Sequence, residues 1–191
     1  MKMRIRYNAP VTLTFALIAT IVLASDQLLG TGIIPALFTM PPRSHFSFNS
    51  IADWIRLFSH IAGHADWSHL LGNFAFILLL GPILEEKYGS LLVLLMLLIT
   101  ALITGLLNGF FSDRALLGAS GAVFMMILLV SFTNIKGGEI PVTFILVVAL
   151  YLVKEILSAF NTGDQVAQFA HIAGGVCGSL FGFLRPRKAR A

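Results

Sequence analysis

Charged residues in this sequence cluster between long apolar runs, and this pattern limits the possible folds more than any other feature. Only 12% of the residues are charged, whereas 57% are hydrophobic. Soluble domains usually carry about a quarter charged residues. The sequence therefore predicts an all-α polytopic membrane protein rather than a soluble domain.

Six apolar runs are each about long enough to cross a hydrocarbon core as a helix. They cover approximately residues 11–29, 67–84, 91–107, 116–133, 140–157 and 169–184. Val22-Leu23-Ala24 loosely resembles a signal-peptidase site, so a cleaved signal peptide is the alternative for the first run. An uncleaved span is favoured because the apolar run continues beyond that site. We predict one six-span membrane domain over residues 1–191.

The long segment between the first two spans, residues 30–66, is too polar and too often interrupted by proline to cross a membrane. It nevertheless carries many aromatic side chains, namely Phe38, Phe46, Phe48, Trp54 and Phe58. Aromatic residues are enriched where a protein meets the membrane–water interface. We therefore predict that this loop lies in the interface rather than in bulk water.

The distribution of basic residues predicts the orientation of the chain. Six spans place both termini on one side, and nine of the thirteen lysines and arginines then fall on that side. They are Lys2, Arg4, Arg6, Lys87, Lys136, Arg185, Arg187, Lys188 and Arg190. The positive-inside rule makes that side cytoplasmic, so the 30–66 loop is external. The same rule accounts for the net charge of +4 without a nucleic-acid partner, and we predict the cell (inner) membrane of a prokaryote.

Four polar residues from three predicted spans lie at a similar depth below the external side. With a rise of 1.5 Å per residue, Ser120 lies roughly 9 Å below Arg114, and His171 lies roughly 10 Å below the polar loop before its span. His69 and Asn73 are four residues apart and so share one helix face. Polar residues at membrane depth usually serve a function.

Ser120 can be interpreted in two ways. Small residues in membrane helices allow close packing, so a serine between two glycines can be structural. As a nucleophile, Ser120 requires a base within hydrogen-bond reach, and His171 is the candidate. The glycines at 174, 175, 178 and 182 form a packing face that would bring this base against Gly118-Ala119-Ser120-Gly121.

Other chemistries fit the sequence less well. Four histidines could in number bind zinc, namely His60, His64, His69 and His171, but no His-Glu-x-x-His motif or neighbouring intramembrane carboxylate accompanies them. An aspartyl mechanism needs two aspartates at depth, and an α/β-hydrolase needs Gly-x-Ser-x-Gly after a strand. We therefore predict a Ser–His dyad, with no metal and no cofactor. The Ser120 backbone N–H, His69 and Asn73 are the candidate oxyanion donors.

These motifs resemble those of the rhomboid family of intramembrane serine proteases. The resemblance rests on Gly118-Ala119-Ser120-Gly121, on Ala170-His171-Ile172-Ala173-Gly174 with Gly178, and on the spacing of His64, His69 and Asn73. The segment from Gly81 to Ser90, with Glu85, also resembles a family motif. Trp54 and Arg56 are separated by Ile55, which departs from the family's Trp-Arg pair.

The resemblance implies a six-helix core and a role for each matched residue. It implies Ser120 as nucleophile, His171 as general base, and His69 and Asn73 at the oxyanion. It further implies that Phe124 packs on the catalytic imidazole and that Glu85 is a structural hydrogen-bonding residue. Supporting positions are Gly118, Gly121, Gly174 and Gly178.

The predicted function is cleavage of transmembrane segments of membrane proteins near the outer face of the lipid bilayer, through an acyl-enzyme. The substrate helix would enter laterally near residues 160–168 and unwind before attack. Two alternatives remain open. One is a catalytically inert rhomboid-like binder of membrane proteins, and the other is a small transporter that uses the same polar cavity.

Overall fold

The computed structural model of this chain describes residues 7–133, six single positions between 142 and 153, and residues 165–184, where the described side chains are 172–182. Within these ranges the chain forms seven α-helices and one short 3-10 helix. The α-helices are α1 (Pro10–Leu29), α2 (Ile33–Leu37), α3 (Ile51–Ser59), α4 (Trp67–Tyr88), α5 (Ser90–Phe111), α6 (Ser120–Thr133) and α7 (Gln165–Leu184), and the 3-10 helix is His60–Ala62. The predicted all-α class is confirmed for this part of the chain.

Three of these helices are long and apolar enough to cross a membrane: α1, α4 and α5. They correspond to the first three predicted spans, although α4 and α5 each extend four residues further than predicted. The apolar parts of α6 and α7 that are described, Ser120–Ser131 and Ile172–Gly182, are shorter. The predicted span at 140–157 lies outside the described residues except for isolated helical positions, so the count of six spans stays a prediction.

The helix boundaries follow from local chemistry. The Asp66 side chain caps α4 by accepting a hydrogen bond from the His69 backbone N–H at 2.7 Å. At the other end of α4, Gly89 adopts φ 83°, which is a conformation that favours glycine, and α5 begins at the next residue. These two features set the length of α4 and with it the position of every residue along the helix.

Helix α6 is the central helix of the described bundle. Residues 121–127 and 129 are all buried, so the helix is covered on every side rather than along one stripe. It packs against α4, α5 and α7, and its side chains join Ile77 and Leu84 of α4 in the main hydrophobic cluster. Anything placed at the first turn of α6 is therefore held by a rigid core.

The 30–66 segment, named the external loop after its predicted side of the membrane, is folded, with α2, α3 and the 3-10 helix inside it. The guanidinium group of Arg56 ties these pieces together: Nη2 donates to the carbonyl oxygen of Ala36 at 2.6 Å, and Nη1 pairs with Asp53 at 2.5 Å. The Trp54 indole N–H donates to the carbonyl oxygen of Phe48 at 2.9 Å. Trp54 and Arg56, which are separated by Ile55, thus contact different partners within this segment. The predicted interfacial position of this loop remains a prediction.

Backbone hydrogen bonds join the external loop to the segment that precedes α6. Met40 and Leu116 form an isolated antiparallel bridge, with hydrogen bonds of 2.8 and 2.9 Å. Arg43 and Asp113 add an exposed ion pair at 2.6 Å. Because Leu116 is extended in this bridge, α6 begins at Ser120 and not at residue 116 as predicted for the span.

Candidate functional site

The chain approaches the first turn of α6 through Gly118, which has φ +116°. Its N–H donates to the backbone carbonyl of His60 at 2.9 Å. A Cβ atom at this position would lie 2.7 Å from two ring atoms of His69. Only glycine therefore fits, both because of its φ angle and because the His69 ring occupies the space where a side chain would begin.

The first two turns of α4 supply the side chains that face Gly118. His69 and Asn73 lie one turn apart, and both contact the space above this glycine. The Asn73 side chain is buried, and its Nδ2 atom has no hydrogen-bond partner among the described residues. A buried amide donor without a partner is uncommon and calls for an explanation. A ligand carbonyl or oxyanion in this position would satisfy it.

The ring of His69 is supported by its neighbours before α4. The ring of His64 lies edge-on to it, with 5.0 Å between the ring centroids. The Asp66 carboxylate accepts from the His69 backbone N–H and so fixes the turn that carries the ring. The orientation of His69 is thus set by residues of the external loop as well as by α4.

Ser120 is the first residue of α6 and is partly exposed, in contrast to the buried residues that follow it. The N-terminus of a helix carries the positive end of the helix dipole and unpaired backbone N–H groups. A hydroxyl oxygen at this position would have its developing negative charge stabilised. The two residues before it, Gly118 and Ala119, are buried and keep the approach to the serine rigid.

Helix α7 crosses α6 in direct backbone contact. A methyl group on Gly174 would overlap the carbonyl of Gly121, and one on Gly178 would overlap the carbonyl of Met125. The predicted small-residue packing between these two helices therefore occurs at those glycines. The His171 backbone belongs to α7 one turn before Gly174, but its side chain lies outside the described residues.

A cleft of about 360 Å³ opens along the first turns of α4, beside His69 and Asn73. Its lining consists of the first turns of α4 and one residue of α6: Asp66, Ser68, His69, Gly72, Asn73, Phe76 and Val123. Of these lining residues, His69 and Asn73 were predicted from the sequence as site residues, whereas Asp66 and Ser68 were not. Their position at the start of the second apolar span, three residues and one residue before His69, was the signal that could have identified them.

The described residues contain no group of three or more His, Cys, Asp or Glu side chains that could hold a metal ion. One of the histidines considered as zinc ligands, His60, is engaged elsewhere through both ring nitrogens. His60 is fully buried between the Arg56 carbonyl and the Thr104 hydroxyl, and burial lowers its pKa to about 4. Burial likewise lowers the pKa of His64 to about 4, with the neighbouring His69 as the second cause.

A comparison with known families identifies the family to which this chain belongs. Residues 52–188, which are more than half of the chain, match the family model of the rhomboid domain. The chain belongs to the rhomboid family. Members of this family are generally serine proteases that act on transmembrane substrates within the lipid bilayer, and the resemblance predicted from the motifs is confirmed. This rhomboid protein is accordingly an integral membrane protein, in agreement with its apolar helices.

Glu85 of this rhomboid protein lies near the other end of α4, about 18 Å along the helix from Asn73. Its buried carboxylate accepts hydrogen bonds from the Val11 N–H, the Thr12 N–H and the Thr12 hydroxyl. Glu85 thereby caps the N-terminus of α1 from a different helix. It is remote from the cleft and serves the packing of the bundle.

Phe124 is buried on α6, one turn after Ser120. Its ring approaches α7 closely, since a Cβ atom on Gly175 would lie 2.9 Å from Cδ1 of Phe124. The contact that the family resemblance implies, between Phe124 and the His171 imidazole, involves a side chain outside the described residues.

Proposed function

We propose that this rhomboid protein is an intramembrane serine endopeptidase in which Ser120 is the nucleophile and His171 is the general base. The observation that carries the proposal is the contact between Gly118 and the His69–Asn73 face of α4. It brings a buried amide donor, which has no partner in the described part of the chain, to the loop two residues before a serine at a helix N-terminus. This combination is what an oxyanion site requires.

The register of α7 supports the assignment of the base. Gly174 and Gly178 face the backbone of α6 at Gly121 and Met125. Position 171 precedes Gly174 by three residues and therefore shares this face of the helix. Gly121 directly follows Ser120, so the helix face that carries position 171 meets α6 at its first turn. Because no acid is assigned to orient the imidazole, tight packing between α6 and α7 takes over that task.

The proposed reaction uses these groups in sequence. A substrate helix unwinds locally and presents a peptide carbonyl to the cleft, with its oxygen near the Asn73 amide and His69. Ser120 attacks the carbonyl carbon while its proton passes to His171. The negative oxygen is stabilised by Asn73, His69 and the Ser120 N–H, and the amine leaves with the proton from His171. Water then hydrolyses the acyl-enzyme with His171 as base.

The proposal includes an orientation in the membrane. We place both termini on the cytoplasmic side of the inner membrane of a prokaryote, with the cleft opening near the outer face. The excess of basic residues on the side of the termini supports this orientation. The same arrangement lets water reach the acyl-enzyme from outside, through the polar mouth of the cleft at Asp66 and Ser68.

Labelling with a fluorophosphonate tests the nucleophile directly. We expect the purified wild-type protein in mild detergent to be labelled, and Ser120→Ala and His171→Ala to stay unlabelled. Ser131→Ala is a matched control, because Ser131 lies on the same helix and donates to the carbonyl of Ile127. Equal labelling of wild type and Ser120→Ala, or labelling that depends on Ser131, would refute the assignment.

A second assay tests the substrate class. A reporter protein with one transmembrane segment should be cleaved by the wild type in liposomes, and not by Ser120→Ala. Cleavage of a soluble unfolded peptide without cleavage of any membrane-spanning reporter would contradict the proposed intramembrane function while leaving the serine chemistry in place.

A further inference from the structure

The charge on the wall of the cleft suggests which substrates the site accepts, and this inference rests on the proposed function. Of the residues that line the cleft, Asp66 is the one with a formal charge at neutral pH when histidine is neutral. It is exposed at the outer end of α4. Its carboxylate oxygen Oδ1 caps the helix at His69, which holds the charge in one place.

Within the described ranges, Asp66 forms no ion pair with a lysine or arginine. The ion pairs formed within the described ranges are Arg43 with Asp113 and Arg56 with Asp53, so these two external cations are already engaged with other acids. The N-terminus of α4 offsets about half a charge through its dipole. Among the described residues that line the cleft, Asp66 therefore keeps part of its negative charge at the outer rim.

Asn73 indicates where in the cleft the reacting carbonyl lies. Its side chain is more than nine-tenths buried, lines the cleft and leaves Nδ2 without a partner among the described residues. A hydrogen-bond acceptor of a bound molecule would satisfy this amide donor. The substrate carbonyl is such an acceptor, so this point fixes the register of the substrate along α4.

The distance between Asp66 and Asn73 indicates which residue of the substrate would lie beside Asp66. Asp66 and Asn73 are seven residues apart, so they share a face of α4 and lie about 10 Å apart along its axis. An extended chain covers about 3.3 Å per residue. A substrate segment that leaves Asn73 toward the outer rim therefore reaches Asp66 after about three residues.

We propose that Asp66 is a specificity-determining residue that selects transmembrane substrates with a lysine or arginine about three residues outward of the scissile bond. The aliphatic stem of either side chain can lie along the apolar wall while its charged end reaches the carboxylate. Basic residues are depleted on the outer flanks of membrane spans. A preference for one there would restrict cleavage to a minority of membrane proteins.

The test is a competition assay with three forms of one transmembrane reporter. The forms carry Lys, Gln or Glu at a single site, which is moved from two to five residues outward of a scissile bond located by mass spectrometry. For the wild type at low ionic strength, we expect kcat/KM to be about three- to tenfold higher for Lys than for Glu, with the maximum near the third residue. The ratio should fall toward one in 0.5 M salt, because an exposed charge pair is screened.

Two neutral variants of Asp66 keep the helix cap. Asn and Ser cap helices about as well as Asp, so Asp66→Asn and Asp66→Ser should fold, as checked by thermal unfolding, and should lower the Lys-to-Glu ratio toward one. Asp113→Asn is the matched control, because it removes an external acid that pairs with Arg43 outside the cleft lining. Its ratio should equal that of the wild type.

The possible outcomes separate the two proposals. Cleavage of all three reporters at equal rates by the wild type, or an unchanged preference in both Asp66 variants, would overturn the role of Asp66 and leave the protease activity standing. Cleavage of none of the reporters by folded wild-type protein would overturn the proposed function and this inference with it.

Discussion

The Glu85 carboxylate accepts hydrogen bonds from both the backbone N–H and the hydroxyl of Thr12, each at 2.7 Å, across 73 residues of sequence. A third bond, from the Val11 N–H, completes the cap on the first turn of α1. Gly81, one turn before Glu85, makes room for the Thr12 side chain, since a Cβ atom there would lie 2.6 Å from Cγ2 of Thr12. The first and second predicted spans are therefore joined through one buried carboxylate.

Replacing Glu85 should lower the free energy of unfolding and have little effect on kcat. We expect Glu85→Ala to reduce the free energy of unfolding by about 2–4 kcal/mol, because three donors of α1 lose a charged acceptor. Titration with a denaturing detergent would measure this loss. Glu86→Gln is the control, because Glu86 is exposed and its replacement should cost less than about 0.5 kcal/mol. A loss of kcat in Glu85→Ala at unchanged stability would contradict a purely structural role.

The contact between α6 and α7 gives a second prediction. A methyl group on Gly178 would overlap the Met125 carbonyl, whereas one on Gly72 would meet no atom within 4 Å. We expect Gly178→Ala to destabilise the protein by about 1–3 kcal/mol through overpacking. Gly72→Ala should instead stabilise α4 by about 0.5–1 kcal/mol through its better helix propensity. Thermal unfolding of the pair in one detergent would compare them, and a smaller loss for Gly178 than for Gly72 would contradict the observed packing.

The long helices could be predicted from the sequence because hydrophobicity alone determines them. The predicted starts of the first three spans fall within one residue of α1, α4 and α5. The pairing of His69 with Asn73 on one face also follows from helical spacing, without knowledge of the fold. These are local properties of the chain, so they can be predicted from the local sequence pattern.

The residues that the sequence could not assign are those whose partners are distant in the chain. No local pattern reveals that Leu116 pairs with Met40, and this pairing is the reason that α6 begins at Ser120. The acceptor role of Glu85 was implied by family resemblance, but its partner Thr12 required the folded bundle. Asp66 was not predicted, because its place on the wall of the cleft depends on how α4 meets α6.

The buried histidines of the external loop predict how stability depends on pH. His64 has a pKa of about 4 in the folded protein, first because of burial and second because of the nearby His69, with Asp66 acting in the opposite direction. Its ordinary pKa is 6.5, so between these two values the unfolded chain binds more protons than the folded one. The stability present above pH 6.5 is therefore lost as the pH falls through 4, by roughly 2–3 kcal/mol for this residue.

A glutamine in place of His64 should reduce the dependence of the unfolding free energy on pH in this range. We expect the difference in the free energy of unfolding between pH 7 and pH 4 to be roughly 2–3 kcal/mol smaller in His64→Gln than in the wild type. His45→Gln is the control, because His45 is exposed, and its curve should follow that of the wild type. Equal pH dependence in all three proteins would show that His64 is not buried in its neutral form.

The unpartnered amide of Asn73 predicts that one substitution separates stability from catalysis. Since Nδ2 has no partner among the described residues, Asn73→Ala removes a buried donor without breaking a hydrogen bond to any of them. The unfolding free energy should stay within about 1 kcal/mol of the wild type or rise, because the cost of an unsatisfied polar group is removed. The value of kcat should fall by about 10²- to 10³-fold with a small change in KM, because the donor acts on the oxyanion in the transition state.

Kinetics on a transmembrane reporter, together with thermal unfolding of the same preparation, would measure both quantities for Asn73→Ala. Asn108→Ala is the contrasting variant, because the Asn108 amide donates to the carbonyls of Pro41 and Arg114 and so holds the external loop to the segment before α6. It should lower the unfolding free energy by about 1–3 kcal/mol. If Asn73→Ala instead lost stability and kept its kcat, the amide would be a structural group and the oxyanion role would pass to His69 and the Ser120 N–H alone.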